Sequence, residues 1–181
     1  MEGTKLEFSK VLPLEVIDKK PYRLSLEANE EERSALAKRL DLLEMASLKA
    51  EVVLNRQGGG LIHIVGSFSS DIVQKCVVTL EPVPNHVEDE FETYMAPITS
   101  KFFKDINMDE LDIDVLLQDE KDFPEPIENE EIDVAELVTQ YLSLAMDPYP
   151  RKEGVEVEIE CSDEEQDNNP FSALKGLKSE E

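Results

Sequence analysis

The sequence predicts an α+β fold, an antiparallel β-sheet packed by two main helices, with an acidic insertion and a mobile C-terminal tail. Three observations predict it. Several runs between residues 47 and 94 are rich in strand formers, with apolar and polar side chains alternating in places, and are separated by turn residues, as in half-buried strands. Two stretches, after Asn29 and after Asp133, begin with a capping residue and continue as an apolar stripe at helical spacing. Residues 105–131 hold twelve acids against Lys121 alone, a composition that adds charge rather than core.

Residues 8–17 and 22–26 alternate as short strands around a turn at Asp18, Lys19, Lys20 and Pro21. Asn29 caps the first helix, Glu30, Glu31 and Glu32 suit its positive end, and Leu36, Leu40 and Leu43 make its apolar stripe, with the end expected near Met45. Residues 47–54 and 61–68 read as a hairpin joined through Gly58, Gly59 and Gly60. That glycine run reads as a turn rather than a phosphate-cradling loop, because no helix and no Lys-Ser/Thr pair follows it. After a connection at Ser69, Ser70 and Asp71, residues 72–80 form another strand with Ile72, Cys76, Val78 and Leu80 on one face, broken by Pro82 and Pro84. Residues 87–94 resume as a strand with Val87 and Phe91 inward and Glu88, Glu90 and Glu92 outward.

Residues 101–131 read as an acidic excursion, although residues 106–117 carry enough aliphatics to dock as a strand or turn. In the second helix, Asp133 caps the first turn and Glu136 is placed to reach back. Val134, Leu137, Val138, Tyr141, Leu142, Leu144 and Ala145 fall on one side and Glu136, Thr139, Gln140 and Ser143 on the other; Pro148 and Pro150 stop it. Residues 155–159 allow a last strand or an extended arm. Residues 169–178, with Pro170, Phe171, Leu174 and Leu177, read as a short docking helix on a tether. The expected division is therefore one domain over residues 1–160 and a flexible tail over 161–181.

A net charge of −24 repels phosphate backbones and favours basic partners. Direct RNA contact would fall to local bases, Lys19, Lys20 and Arg23 or Arg33, Lys38 and Arg39, which also read as ordinary solvated side chains. No run approaches a membrane span and the first ten residues resemble no targeting signal, so a cytoplasmic protein without membrane contact is expected. Cys76 and Cys161 are too few and too far apart for a zinc knuckle or a disulfide framework, and read as small buried side chains. Asp105, Asn107 and Asp109 imitate the start of a calcium loop, but Glu110 stands where glycine is needed and Leu116 where an acid should close it. His63 and His86 lie in no metal or nucleophile spacing. No catalytic residues, metal, cofactor or small-molecule substrate are expected.

Cys76, Val77, Val78, Thr79, Leu80, Glu81 and Pro82, ahead of the strand Val87-Glu88-Asp89-Glu90-Phe91, resemble the central motif of the YceD family, the large ribosomal RNA subunit accumulation proteins. The stretch from Glu131 through Asp133, Glu136 and Leu144 to Asp147-Pro148-Tyr149-Pro150 is similar to its acidic-to-helix block. Cys161 and the closing Asn169-Pro170-Phe171-Ser172-Ala173-Leu174 resemble its last block. Many members of that family carry a second cysteine three positions after the first; here Thr79 stands there, so the motif works through shape, either as a strand end with a tight turn or as a rigid exposed contact corner. The resemblance implies a non-enzymatic factor needed for large-subunit ribosomal RNA to accumulate. Its partners would be a large-subunit RNA precursor, basic ribosomal proteins, or an RNA-processing factor. Its partner-binding residues would be Cys76, Thr79, Leu80, Glu81, Pro82, Asp133, Glu136, Pro170, Phe171 and Leu174. An acidic escort chaperone or nucleic-acid mimic for a basic protein is the alternative.

Overall fold

A computed structural model describes residues 7–17, 20–100, 103 and 124–155. Strand β1 (Val11–Pro13) is followed by a 3-10 turn (Leu14–Val16), β2 (Tyr22–Glu27), α1 (Glu30–Arg39) and β3 (Glu44–Arg56). Then come β4 (Ile62–Lys75), β5 (Pro82–Pro97), β6 (Glu125–Ile127), β7 (Glu131–Asp133) and α2 (Val134–Ala145). The main sheet has the order β2-β3-β4-β5-β6, antiparallel except for the parallel pair β5–β6, and β1 pairs with β7 in a second, two-stranded sheet. This is the α+β arrangement that the alternating runs and the two capped stretches predict.

Alternation decides which face is covered. Leu48, Ala50, Val52 and Leu54 of β3, Ile62, Ile64, Phe68 and Ile72 of β4, and Val87 and Phe91 of β5 are buried in one cluster with Leu36 of α1 and Val134, Val138 and Leu142 of α2. Each fully buried aliphatic contributes about 1.5–3 kcal/mol. The intervening side chains, among them Glu51, Val65, Glu88, Glu90 and Glu92, are exposed. Asn29 and Glu32 form the reciprocal cap of α1, with side chain to amide distances of 3.0 and 2.8 Å.

Local sequence misleads at several places. Residues 8–17 hold a strand of only three residues, because Leu14 turns inward and the chain coils into the 3-10 turn. Helix α1 stops at Arg39, not near Met45: Asp41 adopts φ 52° and the Leu42 amide donates to the Ala37 carbonyl at 2.8 Å, a left-handed helix stop that leaves Leu43 exposed. Ser69, Ser70 and Asp71 are no connection but the middle of β4, since their polar groups are satisfied across strands. The Ser70 hydroxyl donates to the Ser47 carbonyl, and Asp71 accepts from the Ser47 hydroxyl, both at 2.7 Å, beside a bulge between Met45 and Ser47. Pro82 and Pro84 begin β5 rather than breaking a strand, tolerated because the outer edge of β5 has no partner before Met95.

In α2, Thr139 is buried, its hydroxyl returning to the Ala135 carbonyl at 2.9 Å, while Leu144 is 79 % exposed. Glu136 does not reach back to the cap; it holds Arg39 with two bonds of 2.6 and 2.7 Å and so ties α2 to α1. The acidic excursion closes earlier than residue 131, because Ile127 is buried and Glu125–Ile127 joins the sheet. Residues 104–123, the strand or arm expected at 155–159 apart from Val155, and the tail lie outside the described residues.

Gly66 faces Phe91 across the β4–β5 pair, and the Phe91 ring, stacked on Tyr141 with centroids 4.3 Å apart, occupies the space a Cβ would need. Phe91 is buried and cannot swing away. Gly66→Ala is expected to destabilise the chain by about 1–3 kcal/mol, measured as a lower urea midpoint at an unchanged slope.

Candidate interaction site

The β4–β5 connection is built from Cys76, Val77, Val78, Thr79, Leu80 and Glu81. The Leu80 amide donates to the Cys76 carbonyl and the Cys76 amide to the Glu81 carbonyl, each at 2.9 Å, so the chain makes one helical turn before re-entering the sheet. Cys76 is therefore buried at the strand end, whereas Val78 and Leu80, expected on its face, point outward. Closing the turn places Leu80 at φ 61°, a left-handed conformation that costs a leucine on the order of 1–2 kcal/mol, with its side chain 72 % exposed. The turn therefore holds an apolar side chain in solvent at a conformational cost.

A second segment straps this turn. Helix α2 ends at Ala145, and the chain beyond it runs back over the end of β4. The Gln74 side-chain amide donates to the Asp147 carbonyl at 2.9 Å, the Val77 amide to the Pro150 carbonyl at 2.9 Å, and the Lys152 ammonium to Glu81 at 2.9 Å. Asp147 also accepts from the Tyr149 amide at 2.9 Å, fixing a bend that leaves Tyr149 70 % exposed. Two turns from distant parts of the chain are thus pinned together, presenting Val77, Val78, Leu80 and Tyr149.

Beneath them the Cys76 sulfur accepts hydrogen bonds from Thr79, whose amide lies at 3.5 Å, and from the amides of Lys152 and Val78. The hydrogen bonding from Thr79, with the other amides, lowers the thiol to about 6 against the opposing effect of burial. Lys152 likewise holds the Glu81 carboxyl below its usual range. The backbone amides that fold around the sulfur explain how a single cysteine organises this turn without a second thiol.

Of the residues expected to contact partners, the structure brings together Cys76, Thr79, Leu80, Glu81 and Pro82. Asp133 and Glu136 sit toward the other end of α2, about 18 and 14 Å from Ala145 by helix rise, and are engaged within the fold as a cap and an ion pair. Pro170, Phe171 and Leu174 lie outside the described residues, as do Cys161 and the calcium-loop imitation at Asp105, Asn107 and Asp109. Val77, Val78, Tyr149 and Pro150 stand in the family-like motifs but not among the residues expected to contact partners, and the strap formed with Gln74 and Lys152 has no local sequence signal. His63 and His86 bond Glu92 and Asp71 at 2.6 and 2.7 Å. The candidate bases are partly spent, Arg33 on the Ala28 carbonyl and Arg39 on Glu136 and Glu7. Among the described residues no group of three potential metal ligands occurs, and no helix is long and apolar enough to cross a membrane.

Residues 64–178 match the protein family described as large ribosomal RNA subunit accumulation protein YceD. Searches of curated proteins and of solved structures give no match. The matched span begins within β4 and takes in the corner, its strap and α2.

Because the thiolate is favoured in the folded chain, its contribution to stability grows as pH rises from about 6 towards the ordinary thiol value of about 8.5 and is lost as pH falls through 6. Urea midpoints of the wild type and of Cys76→Ser, compared at pH 5.5 and 8.5, are expected to diverge at the higher pH. Equal differences at both would show an ordinary neutral thiol.

Proposed function

Because the chain belongs to the YceD family of large ribosomal RNA subunit accumulation proteins, we propose that it is a non-enzymatic ribosome-biogenesis factor that binds a large-subunit assembly intermediate through the strapped corner. The observation that carries this reading is the meeting of two segments of the family match, residues 76–82 and 147–152, in one pinned surface that holds Leu80 and Tyr149 in solvent. Rigid, exposed Leu and Tyr side chains lose little entropy on binding and are suited to a protein contact. The net charge of −24 selects the rest of the partner: a basic large-subunit ribosomal protein, approached by complementary charge and held on precursor RNA. On this reading the protein works in the cytoplasm, alongside the ribosomal RNA it acts on.

The exposed carboxylates of Glu88, Glu90 and Glu92 along β5 support a second reading, an acidic escort that holds a free basic protein away from RNA. A tagged pull-down from gently lysed cells, split into RNase-treated and untreated halves, separates the two. Large-subunit RNA and proteins lost together on RNase treatment are expected for assembly-particle binding. One basic protein retained after RNase identifies the escort, and the absence of large-subunit components in both halves overturns the proposal. The double variant Leu80→Asn, Tyr149→Ala is expected to leave stability within about 0.5 kcal/mol and to lower capture of the large-subunit partner at least about tenfold, as loss of a binding hot spot does.

A further inference from the structure

Strand β5 is 16 residues long, but its outer edge is paired only where β6 lies alongside Met95, Ala96 and Pro97. Among the described residues no strand pairs with that edge from Asn85 to Thr93, a length of about 30 Å. The Ile98 amide donates to the Ile127 carbonyl at 3.1 Å, and alternate residues of a strand turn their amides to the same side, so His86, Glu88, Glu90 and Glu92 present theirs to the open edge. Pro82 and Pro84 fall in the same alternation, where a missing amide takes no bond from β4. The Glu90 amide donates to the Asp89 carboxylate at 2.8 Å, a side-chain oxygen taking the place of a neighbouring strand's carbonyl.

The two faces of this edge differ in chemistry. On the inner face Tyr141 of α2 stacks on Phe91, and Leu144, three residues on along the same flank of the helix, is 79 % exposed. On the outer face the exposed Glu88, Glu90 and Glu92 recur about 7 Å apart. Among the described residues no lysine or arginine pairs with these three, whereas Glu27, Asp41, Glu81 and Glu136 each hold one. His63 and Tyr94 steady Glu92 at 2.6 and 3.1 Å. A strand added here lies about 4.8 Å from β5 and alternates as β5 does, so one of its faces meets carboxylates and the other an exposed leucine.

We propose that the edge from Asn85 to Thr93 takes up an extended segment of another protein, in which lysine or arginine alternates with apolar residues, as an added strand in line with β6. Backbone pairing holds the segment and the alternating side chains select it. The inference rests on the reading of a basic protein partner and gives that partner a second surface. The carboxylates that repel another copy of this strand are the ones that admit a basic one.

The test uses the purified full chain and a synthetic ten-residue peptide of alternating lysine and valine, without RNA or ribosomes, so its failure would leave the ribosomal reading standing. Hydrogen exchange at the amides of His86, Glu88 and Glu92 is expected to slow at least about tenfold with saturating peptide, while the amides of β2, the opposite edge of the sheet, keep their rates. A peptide of five lysines followed by five valines carries the same charge without the alternation and is expected to leave all these rates unchanged. The double variant Glu88→Lys, Glu90→Lys and the single variant Leu144→Ser alter exposed side chains only, and are expected to weaken binding of the alternating peptide by at least about tenfold and threefold. Equal slowing by both peptides, or binding that leaves these amides unprotected, overturns the proposal, because charge alone then holds the peptide. Amides already protected before peptide is added overturn it too, the edge then being held by the chain's own residues or by a second copy.

Discussion

The carboxylate of Asp133 is the junction on which the arrangement of the chain depends. One of its oxygens accepts from the amides of Lys10, Ala135 and Glu136 at 2.8, 3.1 and 3.1 Å, and the other from the Ser9 hydroxyl at 2.5 Å. Asp133 also ends β7, opposite Val11. A helix cap alone is worth about 1 kcal/mol. This one additionally holds the N-terminal strand and fixes where α2 begins, and α2 in turn delivers residues 147–152 to the far end of β4. The strapped corner at one end of α2 is therefore positioned by a hydrogen-bond junction at the other, through a helix whose inner face is buried in the core.

What could be read from the sequence was local. The caps of both helices, the inward Val87 and Phe91, and the glycine turn follow from neighbours a few residues apart, and each is found in place. A helical wheel placed Thr139 on the polar side because it cannot see a hydroxyl satisfied by its own helix, and placed Leu144 inside because it cannot see where the sheet stops. The serines of β4 looked like a loop until their partners on β3 were known. Residues 76–82 were legible as a tight corner, but not the strap: Gln74 and Asp147 are 73 positions apart, and nothing near either residue announces the other. The parallel addition of β6 was hidden for the same reason.

Charge is distributed so that attraction is used inside the molecule and repulsion is left outside. Arg39 joins Glu136 and Glu7, Lys49 joins Glu27, Lys75 joins Asp41 and Lys152 joins Glu81. Exposed pairs of this kind contribute at most about 1 kcal/mol each, so their principal effect is to neutralise positive charge at the surface. The surplus carboxylates along β5 also guard its open edge, since a strand bearing Glu88, Asp89, Glu90 and Glu92 is a poor template for pairing with another copy.

The pairing of β1 with β7 has a consequence for how the protein is made. Lys10 and Asp133 are 123 positions apart, whereas β3, β4 and β5 follow one another through short connections. During synthesis the three long strands leave the ribosome early and can zip in sequence, but the N-terminal strand must wait until α2 has been translated. At about 5–20 residues per second, that interval lasts several seconds or more, during which the apolar face of the sheet has α1 but lacks α2. A nascent chain in this state is bare where the finished protein is closed, and translation speed across residues 100–145 sets how long it stays so.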